Sequence, residues 1–362
     1  MAGKRQTKVA IISNNALRYS PYISFYSYLL EEDNVEYIIL NKEDDDSVDD
    51  EQHHSFKQTS DVLSKGKLKR TISWYKFLHK EFKQNNVDKI IVTPTRTAIV
   101  LFPILLLCKR KYIFDIRDFT RENSFLYRIM EKCLLSRAGL VVISSAGFKK
   151  WLPKTRTKVL CVHNMPYNVN STLSDDMRSH SDEKHPTVIG YVGLISYAAQ
   201  NIALIKAFAN DKKYSLQYSG QIDPSSSIIR YVNDNKITNV SFTGRFQNEM
   251  KPTIYKQISM INAVYGNDSM IVTTALPNKL YDALIYRIPI IASKGTYLGD
   301  IVSKYGIGLT IDTQVDDIHR IITEYWNRYD RNQFEANCEA LYKMIELEQQ
   351  NTIEQIKLFL YN

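Results

Sequence analysis

The sequence has few cysteines and no long apolar run. Its 362 residues include four cysteines, which lie far apart and form no C-x-x-C pair. Neither a zinc site nor a disulfide framework has this spacing, so a reducing compartment is favoured. The most apolar stretch, residues 98–107, is shorter than the about 20 residues of a membrane-spanning helix. Because the first residues also lack the apolar segment of a signal peptide, we expect a cytoplasmic protein.

Positive charge is concentrated in the first half of the chain. Residues 1–165 contain 28 Lys and Arg against 18 Asp and Glu, whereas residues 166–362 contain 19 against 21. This asymmetry indicates that one domain meets a polyanion or an anionic lipid surface. The alternative is a solvated basic surface that maintains solubility. No recognised nucleic-acid-binding module accompanies the charge, so we expect no nucleic-acid partner.

Short runs rich in β-branched residues recur in both halves, with helix-length segments between them. Their nearly continuous hydrophobicity is typical of parallel strands that helices cover on both faces. In the first half the predicted strands are Val9–Ile12, Tyr37–Leu40, Lys89–Val92, Tyr112–Phe114, Leu140–Ile143 and Val159–Val162. In the second half they are Val188–Val192, Ser215–Tyr218, Val240–Thr243, Ile261–Val264, Ile288–Ala292 and Gly308–Ile311.

A polar stretch without apolar periodicity, residues 166–187, separates the two series and is the predicted linker. We therefore predict an α/β fold with two Rossmann-like, doubly wound domains that face a central cleft. The domains are residues 1–165 and 188–330. Residues 331–362 form a C-terminal helix that packs back across both domains.

The clearest polar constellation is Leu276-Pro-Asn-Lys-Leu-Tyr-Asp282. It predicts a loop that opens a helix, whose unpaired N–H groups favour phosphate, with the charge of Lys279 at the same place. Asp282 lies one turn further on the face of Asn278 and Lys279, where a carboxylate can bind two ribose hydroxyls. In the alternative, Asn278 caps the helix, Lys279 is solvated and Asp282 serves the helix dipole.

Several weaker motifs occur in a specific order around this constellation. They are Phe114-Asp-Ile-Arg-Asp118, Val142-Ile-Ser-Ser145, Ile189-Gly-Tyr-Val-Gly193, Tyr218-Ser-Gly220, Asn239-Val-Ser-Phe-Thr-Gly244 and Pro289-Ile-Ile-Ala-Ser293. With these motifs, essentially the whole chain resembles the group one, family four-like glycosyltransferases of the GT-B fold. The resemblance is strongest to those of bacterial capsule and exopolysaccharide clusters.

The resemblance implies that the second domain binds a sugar nucleotide, UDP-linked by the family's common usage. Lys279 and Arg245 would stabilise the diphosphate charge, although Arg245 is equally interpretable as a surface arginine. The implied donor-binding residues are Gly193, Gly220, Arg245, Thr274, Asn278, Lys279 and Asp282.

Two departures from the family pattern affect the mechanism. Many members carry two glutamates eight positions apart, and here Thr274 and Asp282 occupy those positions. Because the first carboxylate is missing, retention or inversion of the anomeric configuration stays open. A metal-binding D-x-D motif is also missing, since residues 44–46 are an acidic run in a solvated loop. We expect no essential metal and no cofactor besides the nucleotide sugar.

The acceptor site is predicted in the first domain. Asp118, after a buried strand, is the candidate base or acceptor-orienting carboxylate. In the alternative, an internal Asp–Arg pair fixes this loop, with Asp115 as the partner of Arg117. His163 is interpreted as a packing or hinge residue. The predicted acceptor-binding residues are Asn14, Asn15, Arg18 and Arg117.

Basic clusters at 65–70, 109–111 and 149–154 stand beside aromatic residues that include Trp74 and Trp151. This combination suits a membrane interface, and ordinary helix packing with solvated lysines is the alternative. The predicted function is transfer of a sugar to a lipid-linked or other glycan acceptor at the inner membrane face, in cell-surface polysaccharide synthesis. A catalytically silent subunit that binds a partner transferase or glycan is the second hypothesis, and a sugar-nucleotide epimerase is the third.

Overall fold

The chain divides into two compact units in the computed structural model. The first unit comprises residues 1–163 and 348–362, and the second comprises residues 164–347. The predicted linker lies outside the described residues except for Thr187, which begins a strand. The structure describes residues 7–17, 20, 22–43, 50–64, 66–109, 111–119, 124–165 and 187–361.

The first unit contains a seven-stranded parallel sheet. Its strands are the β-branched runs seen in the sequence, and most of their residues are buried because helices cover both faces. The strands are β1 (Val9–Ile12), β2 (Tyr37–Glu43), β3 (His53–Lys57), β4 (Lys89–Val92), β5 (Tyr112–Ile116), β6 (Leu140–Ile143) and β7 (Val159–Cys161), in the order β3-β2-β1-β4-β5-β6-β7.

Among the described residues of the first unit, six helices precede residue 164, and a 3-10 turn covers Ala146–Lys150. The longest carries Trp74 and Leu78 into the core one turn apart, which is the spacing of a helix that packs with one face. The helices are α1 (Tyr22–Glu32), α2 (Ser60–Ser64), α3 (Lys67–Asn85), α4 (Thr95–Val100), α5 (Phe102–Leu107) and α6 (Phe125–Arg137).

The second unit repeats the plan with a six-stranded parallel sheet. The strands are β8 (Thr187–Val192), β9 (Tyr214–Ser219), β10 (Val240–Gly244), β11 (Met260–Ala263), β12 (Ile290–Ser293) and β13 (Gly308–Ile311), in the order β10-β9-β8-β11-β12-β13. The helices are α7 (Ala198–Phe208), α8 (Ser227–Asp234), α9 (Lys251–Tyr255), α10 (Met270–Thr274), α11 (Asn278–Tyr286), α12 (Tyr297–Tyr305), α13 (Ile318–Asn327) and α14 (Arg331–Tyr361).

The last helix, α14, contributes to both cores. Phe334, Cys338 and Leu341 belong to the core of the second unit, whereas Ile356 and Leu360 belong to that of the first. No helix among the described residues is both long and apolar enough to cross a bilayer.

Strand order reverses once in each sheet, between β1 and β4 and between β8 and β11. In doubly wound sheets, ligands bind outside the carboxyl ends of the strands at such a switch point. The two-domain doubly wound α/β prediction is confirmed. The sequence missed β3, an edge strand whose polar residues and two histidines break the apolar pattern.

Candidate active site

Two glycines form a close backbone contact where β8 and β9 end. Gly193 and Gly220 have φ values of +122° and +147°, a region that side chains rarely adopt. A Cβ on Gly220 would lie 1.7 Å from the carbonyl oxygen of Gly193, whereas a Cβ on Gly193 would meet no atom within 4 Å. The Gly193 N–H donates to the Ser219 carbonyl at 2.9 Å. Packing therefore requires glycine at position 220, whereas Gly193 leaves open space beside its backbone.

Lys279 provides a buried amine at the switch point of the second sheet. It lies in the first turn of α11 and is only 5% exposed. Its Nζ lies 3.0 Å from the ring centroid of Tyr191 on β8 and 5.0 Å from that of Tyr265, which follows β11. Among the described residues, no carboxylate lies within ion-pair distance of this amine. Desolvation lowers the pKa of Lys279 well below its usual value, although the charge of Asp282 acts in the opposite direction.

The Asp282 carboxylate is bound by two residues of one short helix. The Tyr255 hydroxyl donates to Oδ2 at 2.7 Å, and the Lys251 amine contacts Oδ1 at 3.4 Å. Tyr255 is itself buried and stacks on Tyr286 with ring centroids 4.5 Å apart. Asp282 therefore has a fixed position one turn from Lys279.

The N-terminus of α11 does not have the capping bond that one interpretation of the sequence predicted. The residue at the cap is Pro277, which makes no side-chain cap hydrogen bond, and Asn278 is the first helical residue and is exposed. The capping hypothesis for Asn278 was therefore wrong, because the proline sets the start of the helix. The first N–H groups of a helix have no partner within it.

Arg245 and Thr274 have contrasting environments. Arg245 is exposed directly after β10, the edge strand, and it forms no ion pair with a described residue. Thr274 is fully buried, and its hydroxyl donates to the Met270 carbonyl at 2.6 Å. The hydroxyl at the position of the missing glutamate is thus engaged with the backbone of α10.

In the first unit, Asp115 and Arg117 form a buried ion pair at the end of β5. Arg117 Nη2 lies 2.8 Å from Asp115 Oδ2, and both side chains are nearly inaccessible. Burial lowers the pKa of the guanidinium, but the Asp115 charge outweighs this and the pKa of Arg117 is raised. This is the pair of the alternative interpretation, so Arg117 is first of all a structural residue.

Asp118 lies one residue beyond this pair and is exposed. Desolvation raises the pKa of its carboxyl, and the Arg117 guanidinium acts against the shift. A raised pKa brings a carboxylate closer to the range that suits a general base. Its place after β5 is the one that the sequence predicted.

The loop after β1 is fixed by hydrogen bonds at the switch point of the first sheet. Asn14 N–H donates to Thr97 Oγ1 at 3.0 Å, and the Thr97 hydroxyl donates to Asn14 Oδ1 at 2.7 Å. Asn15 N–H donates to Ser13 Oγ at 3.2 Å. Asn14 and Asn15 are therefore both at the predicted edge, whereas Arg18 lies outside the described residues.

One group of possible metal ligands occurs within the described part of the chain. Cys161, His163 and Glu348 each offer a donor atom, and these atoms lie within 4.8 Å of one another. His163 Nε2 lies 3.2 Å from a Glu348 carboxylate oxygen, and the backbone N–H of His163 donates to the Gln349 side-chain oxygen at 2.9 Å. Burial raises the pKa of the Cys161 thiol to about 12, which favours the neutral thiol over a thiolate ligand. These contacts join α14 to the end of β7, in agreement with the packing role predicted for His163.

The chain was compared with known proteins by sequence and by structure. No family model and no curated protein matches the sequence. Sucrose-phosphate synthase from Thermosynechococcus elongatus is structurally similar, with a TM-score of 0.70 and 14% identity over 98% of this chain and 100% of that one. HepE from Anabaena in complex with UDP and glucose has a TM-score of 0.68 and 13% identity, with 97% and 100% covered. A glycosyltransferase from Rickettsia africae has a TM-score of 0.69 and 12% identity, with 99% and 100% covered.

The chain has the GT-B fold. Within it, sequence reasoning identified Lys279 and Asp282 but missed their partners Tyr191, Tyr265 and Tyr255. Tyr191 stands inside a motif that was recognised for its glycines. Tyr255 contacts Asp282 across 27 positions, a separation that carries no signal in a single sequence.

The aromatic residues predicted for a membrane interface are packed inside this GT-B protein. Trp74 is fully buried and stacks on Phe77 with ring centroids 5.4 Å apart. Trp151 is 9% exposed and contacts Phe119 edge to face. That part of the membrane hypothesis was wrong, because these rings complete the core under the basic segments.

Proposed function

We propose that this chain is a glycosyltransferase that binds a nucleoside-diphosphate sugar, a UDP-sugar, at the carboxyl edge of the second sheet. The sugar is transferred to a lipid-linked or other glycan acceptor in cell-surface polysaccharide synthesis. One structural neighbour, HepE from Anabaena, has been solved with UDP, with UDP-glucose, and with UDP and glucose, which supports the choice of base. A lipopolysaccharide glycosyltransferase, WaaG, is a further neighbour with a TM-score of 0.61 and 12% identity.

The observation that carries the proposal is the unpaired, buried amine of Lys279 at the N-terminus of α11. Burying a charge without a counterion is unfavourable, so the site gains most from a ligand that brings negative charge. The diphosphate supplies that charge beside helix N–H groups and the open backbone of Gly193. Asp282, held one turn away, accepts hydrogen bonds from the ribose, and exposed Arg245 provides a second cation for the leaving diphosphate.

The acceptor part of the proposal rests on the carboxyl edge of the first sheet. Asp118 accepts the proton of the acceptor hydroxyl as the glycosidic bond forms, and Asn14 and Asn15 orient the acceptor. Lys279 and Arg245 stabilise the leaving group without a metal ion. The buried pair of Asp115 and Arg117 fixes the loop that carries the base.

A cytoplasmic location at the inner face of the membrane follows from a lipid-linked acceptor. With the tryptophans buried, the apolar contact is assigned to α3, where Leu68 and Ile72 are 75% and 44% exposed one turn apart. The exposed lysines Lys67 and Lys69 flank Leu68 and attract anionic lipid. Replacing Leu68 and Ile72 by serine is expected to weaken sedimentation with anionic vesicles without changing nucleotide binding.

A thermal-shift panel with UDP, GDP, CDP, ADP and their sugar conjugates, with and without EDTA, tests the donor site. A ligand at 100 times its Kd adds about 2.7 kcal/mol of stability, which raises the melting temperature measurably. We expect a selective shift with UDP that EDTA does not change. A shift that EDTA removes contradicts metal independence, and the absence of any shift contradicts the donor site.

The second candidate is a catalytically silent subunit. It is favoured by Thr274, which occupies the position of the missing glutamate and whose hydroxyl donates to the Met270 carbonyl. Nucleotide binding does not distinguish the two candidates, but turnover does. We expect release of UDP from UDP-sugar in the presence of a glycan acceptor. Binding without turnover for any donor and acceptor pair supports the silent subunit.

A further inference from the structure

A polar cavity lies in the first unit, at the opposite end of the sheet from Asn14 and Asp118. Its volume is about 800 Å³, and it opens where β6 and β7 begin. One wall is the C-terminal half of α6, and the other is the segment 154–158 that precedes β7. Because strands of a parallel sheet run in one direction, their amino ends and the predicted acceptor residues occupy opposite edges.

Four cations line this cavity. Lys154, Arg156 and Lys158 come from the segment before β7, Lys132 comes from α6, and all four are exposed. No carboxylate is among the lining residues. The Lys158 amine donates to the neutral Gln355 side chain at 2.6 Å. The other three cations form no ion pair with any residue in the described ranges.

The segment that carries three of the cations is held in place by its threonines. The hydroxyls of Thr155 and Thr157 both donate to the Leu135 carbonyl in the last turn of α6, at 3.4 Å and 2.6 Å. Thr155 Oγ1 also accepts from the Thr157 N–H at 3.1 Å. The hydrogen bonds of Thr155 and Thr157 fix the backbone of this segment. The cations alternate with these threonines, so their charged groups remain exposed at the cavity. The like charges repel one another, and a multivalent anion relieves that repulsion.

We propose that this cavity is a phosphate-binding site, separate from the candidate active site, for a ligand with more than one negative charge. Arginine binds phosphate through paired N–H groups and lysine acts as a point charge, so the residues here suit phosphate oxygens. The cavity is large enough for a group with several such oxygens. The inference does not depend on sugar transfer. The phosphate belongs either to a soluble ligand or to a lipid headgroup, and the experiment separates these sources.

The test measures pyrophosphate binding by titration calorimetry at low ionic strength, with the full chain. The Lys154→Gln/Arg156→Gln variant is compared with Lys109→Gln/Lys111→Gln, which removes two exposed cations of the same unit that do not line the cavity. We expect the cavity variant to lose about tenfold or more in affinity for this site, with the control unchanged. Lys132→Gln, on the other wall, is expected to weaken the same binding event. Any pyrophosphate bound at the second unit is common to all these variants.

The lipid source is tested by sedimentation with phosphatidylglycerol vesicles against phosphatidylcholine vesicles. If the cavity variant loses vesicle binding and pyrophosphate competes with the vesicles, the site takes a lipid headgroup phosphate. If pyrophosphate binding depends on the cavity and vesicle binding does not, the ligand is soluble. Equal effects of the cavity and control variants in both assays overturn the proposal, because charge alone then explains the binding.

Discussion

The two sheets have the same kind of switch point but different chemistry there. In the first sheet, Asn14 and Thr97 exchange two hydrogen bonds, and the ions of that edge are paired as Asp115 and Arg117. In the second sheet, Gly193 leaves open space beside its backbone, and the buried amine of Lys279 has no carboxylate partner among the described residues.

Under the proposed function, this difference lets one fold bind two kinds of ligand. A buried charge that is already paired has its desolvation cost offset within the protein, whereas an unpaired one is favourable only when a ligand of opposite charge binds. The second edge therefore suits a diphosphate, and the first suits a neutral hydroxyl acceptor beside an exposed carboxylate. The following predictions test this contrast.

Asp115→Asn is expected to have the largest effect on stability. It leaves the Arg117 guanidinium buried without its counterion, and breaking such a pair destabilises a protein by about 3–5 kcal/mol. Urea unfolding of the first unit measures the loss. Asp118→Asn, at an exposed position three residues away, is the matched control and is expected to change the free energy of unfolding by less than about 0.5 kcal/mol. Equal effects of the two variants would mean that the pair is not structural.

Gly220→Ala is expected to destabilise the second unit by about 3 kcal/mol. The new Cβ would collide with the Gly193 carbonyl at a φ value that side chains avoid. Because the close contact with Gly220 positions the Gly193 backbone at the proposed diphosphate site, UDP binding should weaken as well. Gly66→Ala, where no atom lies within 4 Å of the added Cβ, is the control for stability. An unfolding midpoint like that of the control contradicts the close approach of the two backbones.

Asp118→Asn is expected to reduce sugar transfer at least about 100-fold, since it removes the general base. UDP-sugar affinity should be unchanged, because the donor site belongs to the second unit. Initial rates at saturating donor, together with calorimetric Kd values, separate the two effects. A parallel loss of nucleotide affinity would show that the assignment of acceptor and donor residues to different units is wrong.

The smallest effect expected is a pH dependence of UDP affinity. Desolvation lowers the pKa of free Lys279, and the bound diphosphate favours the charged amine, so binding raises this pKa and takes up protons. Affinity should therefore fall as pH rises from the lowered pKa of the free amine towards the higher pKa of the bound one, by at most about tenfold per pH unit. Calorimetry in buffers of different ionisation enthalpy detects the proton uptake. Proton release on binding, or affinity that rises with pH, would contradict a lowered pKa of Lys279 in the free protein.

The sequence predicted the architecture well because buried parallel strands are continuous apolar runs. Of the strands, β1, β4, β6 and β13 have the bounds that the pattern indicates, and β3 alone was missed. The helix N-terminus at residues 278–282 was also found from its local spacing. These features depend on neighbouring residues, which a single sequence displays.

Contacts between distant residues were not predictable in this way. The hydrogen bond from Tyr255 to Asp282 and the rings around Lys279 depend on how helices pack on the sheet. The buried positions of Trp74 and Trp151 depend likewise on packing against the distant residues Phe56 and Phe119. A lysine cluster beside an aromatic residue has the same sequence pattern whether the ring faces solvent or the core.

The central claim, that Lys279 is held for a diphosphate without a carboxylate partner among the described residues, is tested most directly by Lys279→Met. We measure the melting temperature with and without saturating UDP for the wild type and this variant. Removing a buried unpaired amine should raise the melting temperature of the free protein, by about 2–4 °C for each 1 kcal/mol gained. The UDP-induced increase should disappear. If the variant without UDP melts at a lower temperature than the wild type and UDP still raises its melting temperature, the claim is contradicted. Lys279 would then stabilise the fold and would not bind the diphosphate.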